Sequence, residues 1–491
     1  MNLKLIFISL GLLLTELLTA QDQTTELSLK QVIEIARMES PDAQMARHSF
    51  RSAYWNYKYY RANYLPSLSL TSDPNLNRAI NKITMGDGSV KFVEQNLLNT
   101  DLTLNLSQNL SWTGGSFFLE TSAQRMDLFS EHKYSWQTSP IMIGYRQSLF
   151  GYNSLKWDRR IEPVRYQEAK KSYVETLELV SANAINKFFA LATAQSDYDI
   201  ASFNYANADT LYRYAQGRYN IGTITENEML QLELNRLTEE TNRMNALIEM
   251  DNCMQELRSY LGIHEDRELR VLVSPQIPDF SVNLNEALAL AYENSPDIQT
   301  MERRKLESES AVAKARANAG LKADIYLRFG LTQTADKLPE AYRNLLDQQY
   351  VSIGISLPIL DWGRGKGQVR VARSNRDLVY TQVEQSRTDF ELNVRKLVKQ
   401  FNLQTQRVRI AARTDETAQR RSEVARKLYL LGKSTILDLN ASISEKDSAR
   451  RNYISALYNY WNLYYGLRSL TGYDFEKMIP ITEDYELLLN N

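Results

Sequence analysis

The sequence predicts a mainly α-helical chain that carries a membrane β-barrel portion and is organised as two internal repeats. Three observations predict it. Residues recur at a fixed offset along the chain. Two long stretches, Val164–Gln216 and Gln368–Leu431, contain neither Gly nor Pro. Short segments alternate apolar and polar residues strictly.

The chain opens with the pattern of a secretory signal over residues 1–20. Lys4 precedes an apolar stretch from Leu5 to Leu14, and Leu18-Thr19-Ala20 offers a cleavage site. That apolar core is too short to span a bilayer. No cysteine follows it, so a lipoprotein anchor is not expected. The single cysteine, Cys253, excludes an internal disulfide and reads as a buried small hydrophobe. With 491 residues, 43% hydrophobic and 24% charged, the chain is neither disordered nor a polytopic helical membrane protein. A net charge of −1 gives no electrostatic footprint for nucleic acid. The 19 Gly and 11 Pro are few, which favours long helices, whereas 29 Tyr is heavy use that composition does not account for. No later segment resembles a transmembrane helix, so any further membrane contact is made by strands.

The repeat fixes the organisation. Leu29, Ala36, Ser40, Pro41, Asp42 and Ala62 recur 255 positions on, as Leu284, Ala291, Ser295, Pro296, Asp297 and Ala317. Tyr219, Gly222, Thr225, Arg258, Ser259 and Gly262 recur 210 positions on, as Tyr429, Gly432, Thr435, Arg468, Ser469 and Gly472. The offsets differ by 45, so the first repeat has 45 extra residues, all between Ala62 and Tyr152. That is an added hairpin or long loop in its strand-like part. The predicted layout is a first repeat over 21–262, a linker over 263–282, a second repeat over 283–472 and a tail over 473–491.

Within each repeat one long helix is matched by shorter ones. The long helices fall at about 161–217 and 366–431, and the return helices at about 223–261 and 433–466. At 1.5 Å rise, a helix of about 60 residues is roughly 90 Å long and must lie beside another. Val379, Val383, Phe390, Val394, Leu397, Phe401 and Val408 step mostly by three, four or seven, which is coiled-coil spacing. Helices over Asp42–Leu65 and Asp297–Ala319 and small amphipathic ones near Ser28–Glu39 and Asn283–Glu293 complete each set.

Strands are predicted over about 66–150 and 324–358. Leu102, Leu104 and Leu106, then Ile325, Leu327, Phe329 and Leu331, then Val351, Ile353, Ile355 and Leu357 alternate with polar or small residues. Gly86-Asp87-Gly88 and Thr113-Gly114-Gly115 read as hairpin turns. Trp112, Phe117, Phe118, Phe129 and Trp136 read as interfacial girdles. A few strands cannot close a barrel, and an open edge is not tolerated in lipid, so the barrel must be shared among subunits.

On three patterns the chain resembles the TolC-like outer-membrane efflux family, over nearly its whole length after the signal. They are the amphipathic helix followed by Ser-Pro-Asp (Ser40–Asp42, Ser295–Asp297), the strand-to-helix junctions Gln147–Asn153 and Leu357–Gly367, and the motif Arg218–Thr225, echoed by Lys427–Thr435. The resemblance implies a homotrimer with a strand barrel in outer-membrane lipid and a coiled-coil helical tunnel in the periplasm. It implies a periplasmic adaptor and an inner-membrane pump as partners; the residues themselves show no nucleophile–base arrangement, so no cofactor, metal or enzymatic activity is expected. The family barrel usually takes two strands from each repeat, and the additional segment departs from that.

The resemblance also implies functional residues. Arg218, Gly222, Thr223, Gly432 and Lys433 are the adaptor-contacting tips. Tyr429 corresponds to a gate tyrosine, Glu228 to the acid that bonds it, and Asp438 to an acidic constriction ring. Ser434 and Ala441 stand where the family has a gate arginine and a second ring acid. Gly432-Lys433-Ser434-Thr435 lacks the glycine of a phosphate loop, since Lys427 stands five residues before. The three histidines, His48, His132 and His264, have no metal spacing. The expected function is a passive duct for small-molecule efflux. The alternatives are an exit duct for protein secretion and an exported coiled-coil scaffold without a pore.

Overall fold

The computed structural model describes residues 25–264, 268–431 and 433–489. The signal expected over 1–20 and the tip residue Gly432 lie outside the described residues. In chain order the elements are β1 (Thr25–Ser28), α1 (Leu29–Glu39), α2 (Pro41–Ala62), β2 (Ser67–Thr71), β3 (Asn75–Thr84), β4 (Val90–Leu110), β5 (Gly115–Leu128) and β6 (Lys133–Leu149). They continue as α3 (Ser154–Asn220), α4 (Glu226–Leu261), β7 (Leu269–Leu272), α5 (Leu284–Asn294), α6 (Pro296–Ala319), β8 (Lys322–Ala335) and β9 (Leu346–Ser356). Last come α7 (Arg364–Leu430), α8 (Ile436–Thr471), β10 (Tyr473–Asp474) and β11 (Ile479–Pro480). None of the described helices is long and apolar enough to cross a membrane.

The chain divides into two compact units, and each draws on both repeats. One comprises the residues up to Arg51, Ala169–Pro296 and Thr388 onwards; the other comprises Ser52–Glu168 and Asp297–Arg387.

The first unit is helical and its joints are capped by short-range chemistry. Ser28 and Gln31 form a capping box at the start of α1. The buried Ser40 accepts a bond from the Ala43 amide, and Pro41 starts α2, where its missing N–H costs nothing. Gly262 and Gly472 end α4 and α8 in the left-handed conformation that glycine adopts most readily. β1 pairs with β7 in parallel, tying the start of one repeat to the segment that precedes the other. Tyrosine use is explained here in part: Phe280, Phe401, Tyr460, Trp461 and Tyr464 pack ring on ring. The Tyr460 hydroxyl donates to the Pro278 carbonyl at 2.6 Å.

Beneath this cluster lies an ion network that the sequence did not disclose. Glu178 of α3 is fully buried. It accepts from Arg37 Nη1 at 2.6 Å and from Arg468 Nε at 2.7 Å. Arg468 also donates to Asp474 at 2.5 Å, and Arg37 to Glu483 at 2.7 Å. Burial would raise the Asp474 carboxyl, but bonds from the Tyr464 hydroxyl and the Lys477 amide, with the Arg468 charge, outweigh it and hold it below its usual value.

The second unit holds the sheet. Its strand order is β2-β4-β5-β6-β8-β9, with β3 also pairing to β4. All these pairings are antiparallel, and the sheet is open. Register separates two faces. One carries Leu68 and Leu70, Leu102 to Leu106 in steps of two, Phe117 and Leu119, Ile141 and Ile143, Leu327 and Phe329, and Val351 to Ile355 in steps of two. All of these apolar side chains except the half-buried Leu327 are exposed, as lipid contact requires. The other face carries Ser, Thr and Asn, with Arg328 donating to Glu120 at 3.1 Å. In this unit too tyrosines pack together, Tyr57 stacking on Tyr166 at 4.4 Å.

Several expectations are corrected. Phe118 does not join a lipid-facing girdle: neighbouring residues of a strand point to opposite faces, so it lies with the polar face. There it is buried over Gly144 and stacks on Tyr326 at 5.9 Å. Cys253 is half-exposed rather than buried, on α4, and its thiol faces Glu249 at 3.7 Å. The first long helix begins at Ser154 and runs through Pro163, because Asn153 caps it by accepting from the Lys156 amide at 2.9 Å. Of the two forms expected for the added segment, a hairpin or a long loop, the hairpin is the one present, formed by strands of the sheet.

Replacing Glu178 by Ala removes the buried carboxylate that the half-buried Arg37 and Arg468 share, leaving each with one remaining acid, Glu483 and Asp474. Such a loss costs about 3–5 kcal/mol. A denaturant melt of the purified protein followed by circular dichroism should show it, whereas a change below about 1 kcal/mol would mean the pairs are solvated.

Candidate functional site

Two helix hairpins of the first unit end in tips built from matching parts. At the first, α3 ends at Asn220 and α4 begins at Glu226. Gly222 has φ of +73°, and its amide donates to the Tyr219 carbonyl at 2.8 Å. The Thr223 amide closes the turn on the Arg218 carbonyl at 2.9 Å, and the Thr223 hydroxyl bonds the same oxygen. At the second, the Lys433 amide reaches the Leu428 carbonyl at 2.9 Å, which is the same bond 210 positions later. Arg218, Thr223 and Lys433 are all exposed.

The return helices start with equivalent capping boxes. Thr225 caps α4: the Glu228 amide donates to its hydroxyl oxygen at 3.2 Å, and the Glu228 carboxylate accepts from the Thr225 amide at 3.0 Å. Thr435 and Asp438 do the same for α8, at 3.2 and 3.3 Å. The Thr435 hydroxyl also donates to the Asp438 carboxylate at 2.7 Å, and the Ser434 hydroxyl at 3.4 Å. The hydroxyl and amide of Thr435 hold the Asp438 carboxyl below its ordinary value. These caps follow from the local Thr-x-x-Glu and Thr-x-x-Asp patterns, which the sequence analysis did not single out.

Tyr429 is half-buried in the last turn of α7 and lines a cavity of about 600 Å³. Neither acid lines this cavity, although Leu439, next to Asp438, does. Arg426 and Glu423 of α7, Phe203 of α3 and Lys446 of α8 share that lining. The Lys446 ammonium sits 4.7 Å from the Phe203 ring centre, a cation–π contact. Deeper in, the buried Asp415 accepts from Arg450 at 3.3 Å and Gln419 at 3.1 Å. Within one chain, then, Glu228 and Asp438 are engaged at their own helix starts, and among the described residues no bond joins Tyr429 to Glu228. No cluster of described residues could hold a metal ion.

The hairpins are held by contacts across their seams. Arg243 lies 4.4 Å from the Tyr205 ring centre and Arg236 5.5 Å from that of Tyr212. Arg451 donates to Asp197 at 2.6 Å, and Asn204 to Asp447 at 3.1 Å.

The model of the outer membrane efflux protein family matches residues 32–263 and 287–473. The chain belongs to that family. As a family member it is an outer-membrane channel component of an efflux system, with a helical periplasmic part. A curated relative, toxin and drug export protein A of Aggregatibacter actinomycetemcomitans, is 24% identical over 433 residues, covering 84% of this chain and 90% of the relative. The fold is that of solved channels. The CmeC outer membrane channel of Campylobacter jejuni superposes with a TM-score of 0.67 at 15% identity, over 94% of this chain and 88% of that one. The outer membrane protein VceC of Vibrio cholerae superposes with a TM-score of 0.62 at 15% identity, over 90% of this chain and 96% of that one.

The capping acid makes the second tip acid-sensitive. Its depressed carboxyl value means that the cap contributes fully above the unfolded carboxylate value of about 3.9 and is lost as pH falls through the folded value. Amide protection at the start of α8, corrected for intrinsic exchange, should hold level from about pH 7 to 5 and fall below about pH 4. Thr435→Ala should remove about 1 kcal/mol of that protection at neutral pH.

Proposed function

We propose that three copies of this chain form a passive duct closed at the helix-hairpin tips and carrying small molecules outward. The observation that carries this reading is a pair of uncovered coiled-coil seams. On α4, Leu230, Leu234, Leu237, Met244 and Ile248 follow heptad spacing and are 44–66% exposed. On α7, Leu403, Ile410 and Val424 recur in steps of seven or fourteen and are 48–59% exposed. Stripes of this kind are stable in water only when another helix covers them. Each seam supplies what the other lacks, so α4 of one copy packs on α7 of the next, and repetition closes a ring.

In that ring Tyr429 and Glu228 meet between neighbouring copies and hold the tips together. The Asp438 carboxylates converge on the axis. There mutual repulsion raises their values, opposing the cap that lowers them in one chain. A ring of acids at a constriction favours cations. Arg218, Gly222, Thr223 and Lys433 offer the adaptor exposed tips, Gly432 is assigned to the same contact from the sequence repeat, and the pump lies beyond the adaptor. Glu228→Gln keeps the capping geometry, since Gln also serves in a capping box, and removes only the charge.

Two measurements test this. Leu234→Asp should leave the helical signal intact and convert the detergent-purified trimer to single chains by native mass; a trimer that survives the change argues against the seam. In planar bilayers the wild type should give a small, cation-favouring conductance. Tyr429→Phe with Glu228→Gln should raise it several-fold, and Asp438→Asn should weaken the cation preference. Conductance unchanged by all three keeps the channel and discards these gate residues.

A second reading has its own observation, since the relative from Aggregatibacter actinomycetemcomitans is named a toxin and drug export protein. In a strain lacking this protein, retained dye with unchanged secreted proteins supports efflux. Loss of a secreted protein supports the secretion duct.

A further inference from the structure

Each chain presents an even number of strand positions. β2 and β3 lie end to end on the same partner: β2 pairs with Thr103–Ser107 of β4 and β3 with Val90–Asn99. They therefore occupy one position, and the sheet has six: β2/β3, β4, β5, β6, β8 and β9. The first repeat supplies four and the second two. A wall with two strands from each repeat would have four.

The added pair lies in the lipid-facing wall. One pairing row runs Leu68, Leu106, Leu119, Ile143 and Phe329, through five neighbouring positions. All five side chains are exposed. Beside it run Ser67, Ser107 and Phe118 and, two residues along, Ser69, Asn105 and Glu120 on the opposite face. A hairpin that plugged a lumen or stood in water would not continue the apolar band in register.

The two edges are β2/β3 and β9. In hydrocarbon an unpaired edge leaves each free N–H and C=O without a partner, at a cost of several kcal/mol per group. Strand direction alternates across the six positions, so β9 runs opposite to β2. An even count per chain lets identical copies join edge to edge with every pairing antiparallel. An odd count would force a parallel join at each boundary or leave three identical chains unable to close.

From this we propose that β9 of one copy pairs with β2/β3 of the next, and that three copies close a barrel of eighteen strand positions. The proposal rests on the trimeric duct above and adds which edges meet and how wide the wall is. Barrels of 16–18 strands leave an aqueous channel, whereas about eight strands are filled by side chains. The outer end of this duct is thus a porin-width, water-filled opening lined by Ser, Thr, Asn and the Glu120–Arg328 pair. Solutes are sorted by the tips and not by the barrel.

Disulfide trapping tests it. In a Cys253→Ala background, Ser352→Cys on β9 is combined in turn with Ser67→Cys, Ser69→Cys, Thr71→Cys or Asn77→Cys on the β2/β3 edge. Neighbouring strands lie about 4.8 Å apart, so five spacings separate these edges within a chain and a bond between them must join two chains. Oxidation should give covalent dimers and trimers on non-reducing gels for at least one combination. The rival wall of four positions, β5, β6, β8 and β9, would instead link Ser352→Cys to Ser116→Cys or Ser122→Cys on β5. That product, or no product from a protein whose native mass is three chains, overturns the proposal. A native mass other than three chains overturns the trimeric reading itself, so the two failures are distinguishable.

Discussion

Hydrocarbon offers a peptide group nothing to bond. A strand in lipid must therefore give every N–H and C=O to another strand, and a sheet with two edges is not a finished object there. The rest of this molecule answers to that constraint. Six strand positions with one continuous apolar face make a wall segment rather than a domain, and identical segments have to complete it. Once copies are placed side by side around an axis, their helices are repeated around the same axis. In the proposed trimer the uncovered seams on α4 and α7 become contacts and not liabilities.

The helical unit meets a different demand, which is to hold long rods in register in water. It does so with caps at every joint and with one deep electrostatic tie. Glu178 takes bonds from Arg37 and Arg468, which belong to α1 and α8, and Arg468 passes the connection to Asp474 beyond the end of its helix. Buried ion pairs are costly to assemble and more costly to break, so they favour one arrangement of the helices over near alternatives. Tyr460 and Tyr464 add to this, since each buries a ring while its hydroxyl reaches a carbonyl or a carboxylate.

The tips show how little chemistry a turn needs. Gly222 permits the reversal, a threonine starts each return helix, and an acid three residues later closes the box. The carboxylates of Glu228 and Asp438 thus have a structural duty within one chain, and any duty at a gate is added to it. In one chain the cap draws the proton off Asp438; in the proposed ring, like charges would oppose it.

Much of this was legible in the sequence because it is local. Gly-free stretches, period two, period seven and the glycine at a reversal depend on residues within a turn or two of each other. The constant offsets exposed the repeats and located the extra segment. The caps at Thr225 and Thr435 are equally local, each a threonine followed three residues later by an acid. Tertiary structure alone decided the rest. It brought Glu178 to Arg37 across 141 positions and to Arg468 across 290, and turned Phe118 towards the polar face. It left Cys253 half-exposed, set Tyr429 in a cavity that Glu228 does not line, and made the extra segment part of the sheet. Periodicity says which side of an element is apolar. Only the packed fold says what that side meets, because the partner comes from a distant part of the chain whose position no local pattern encodes.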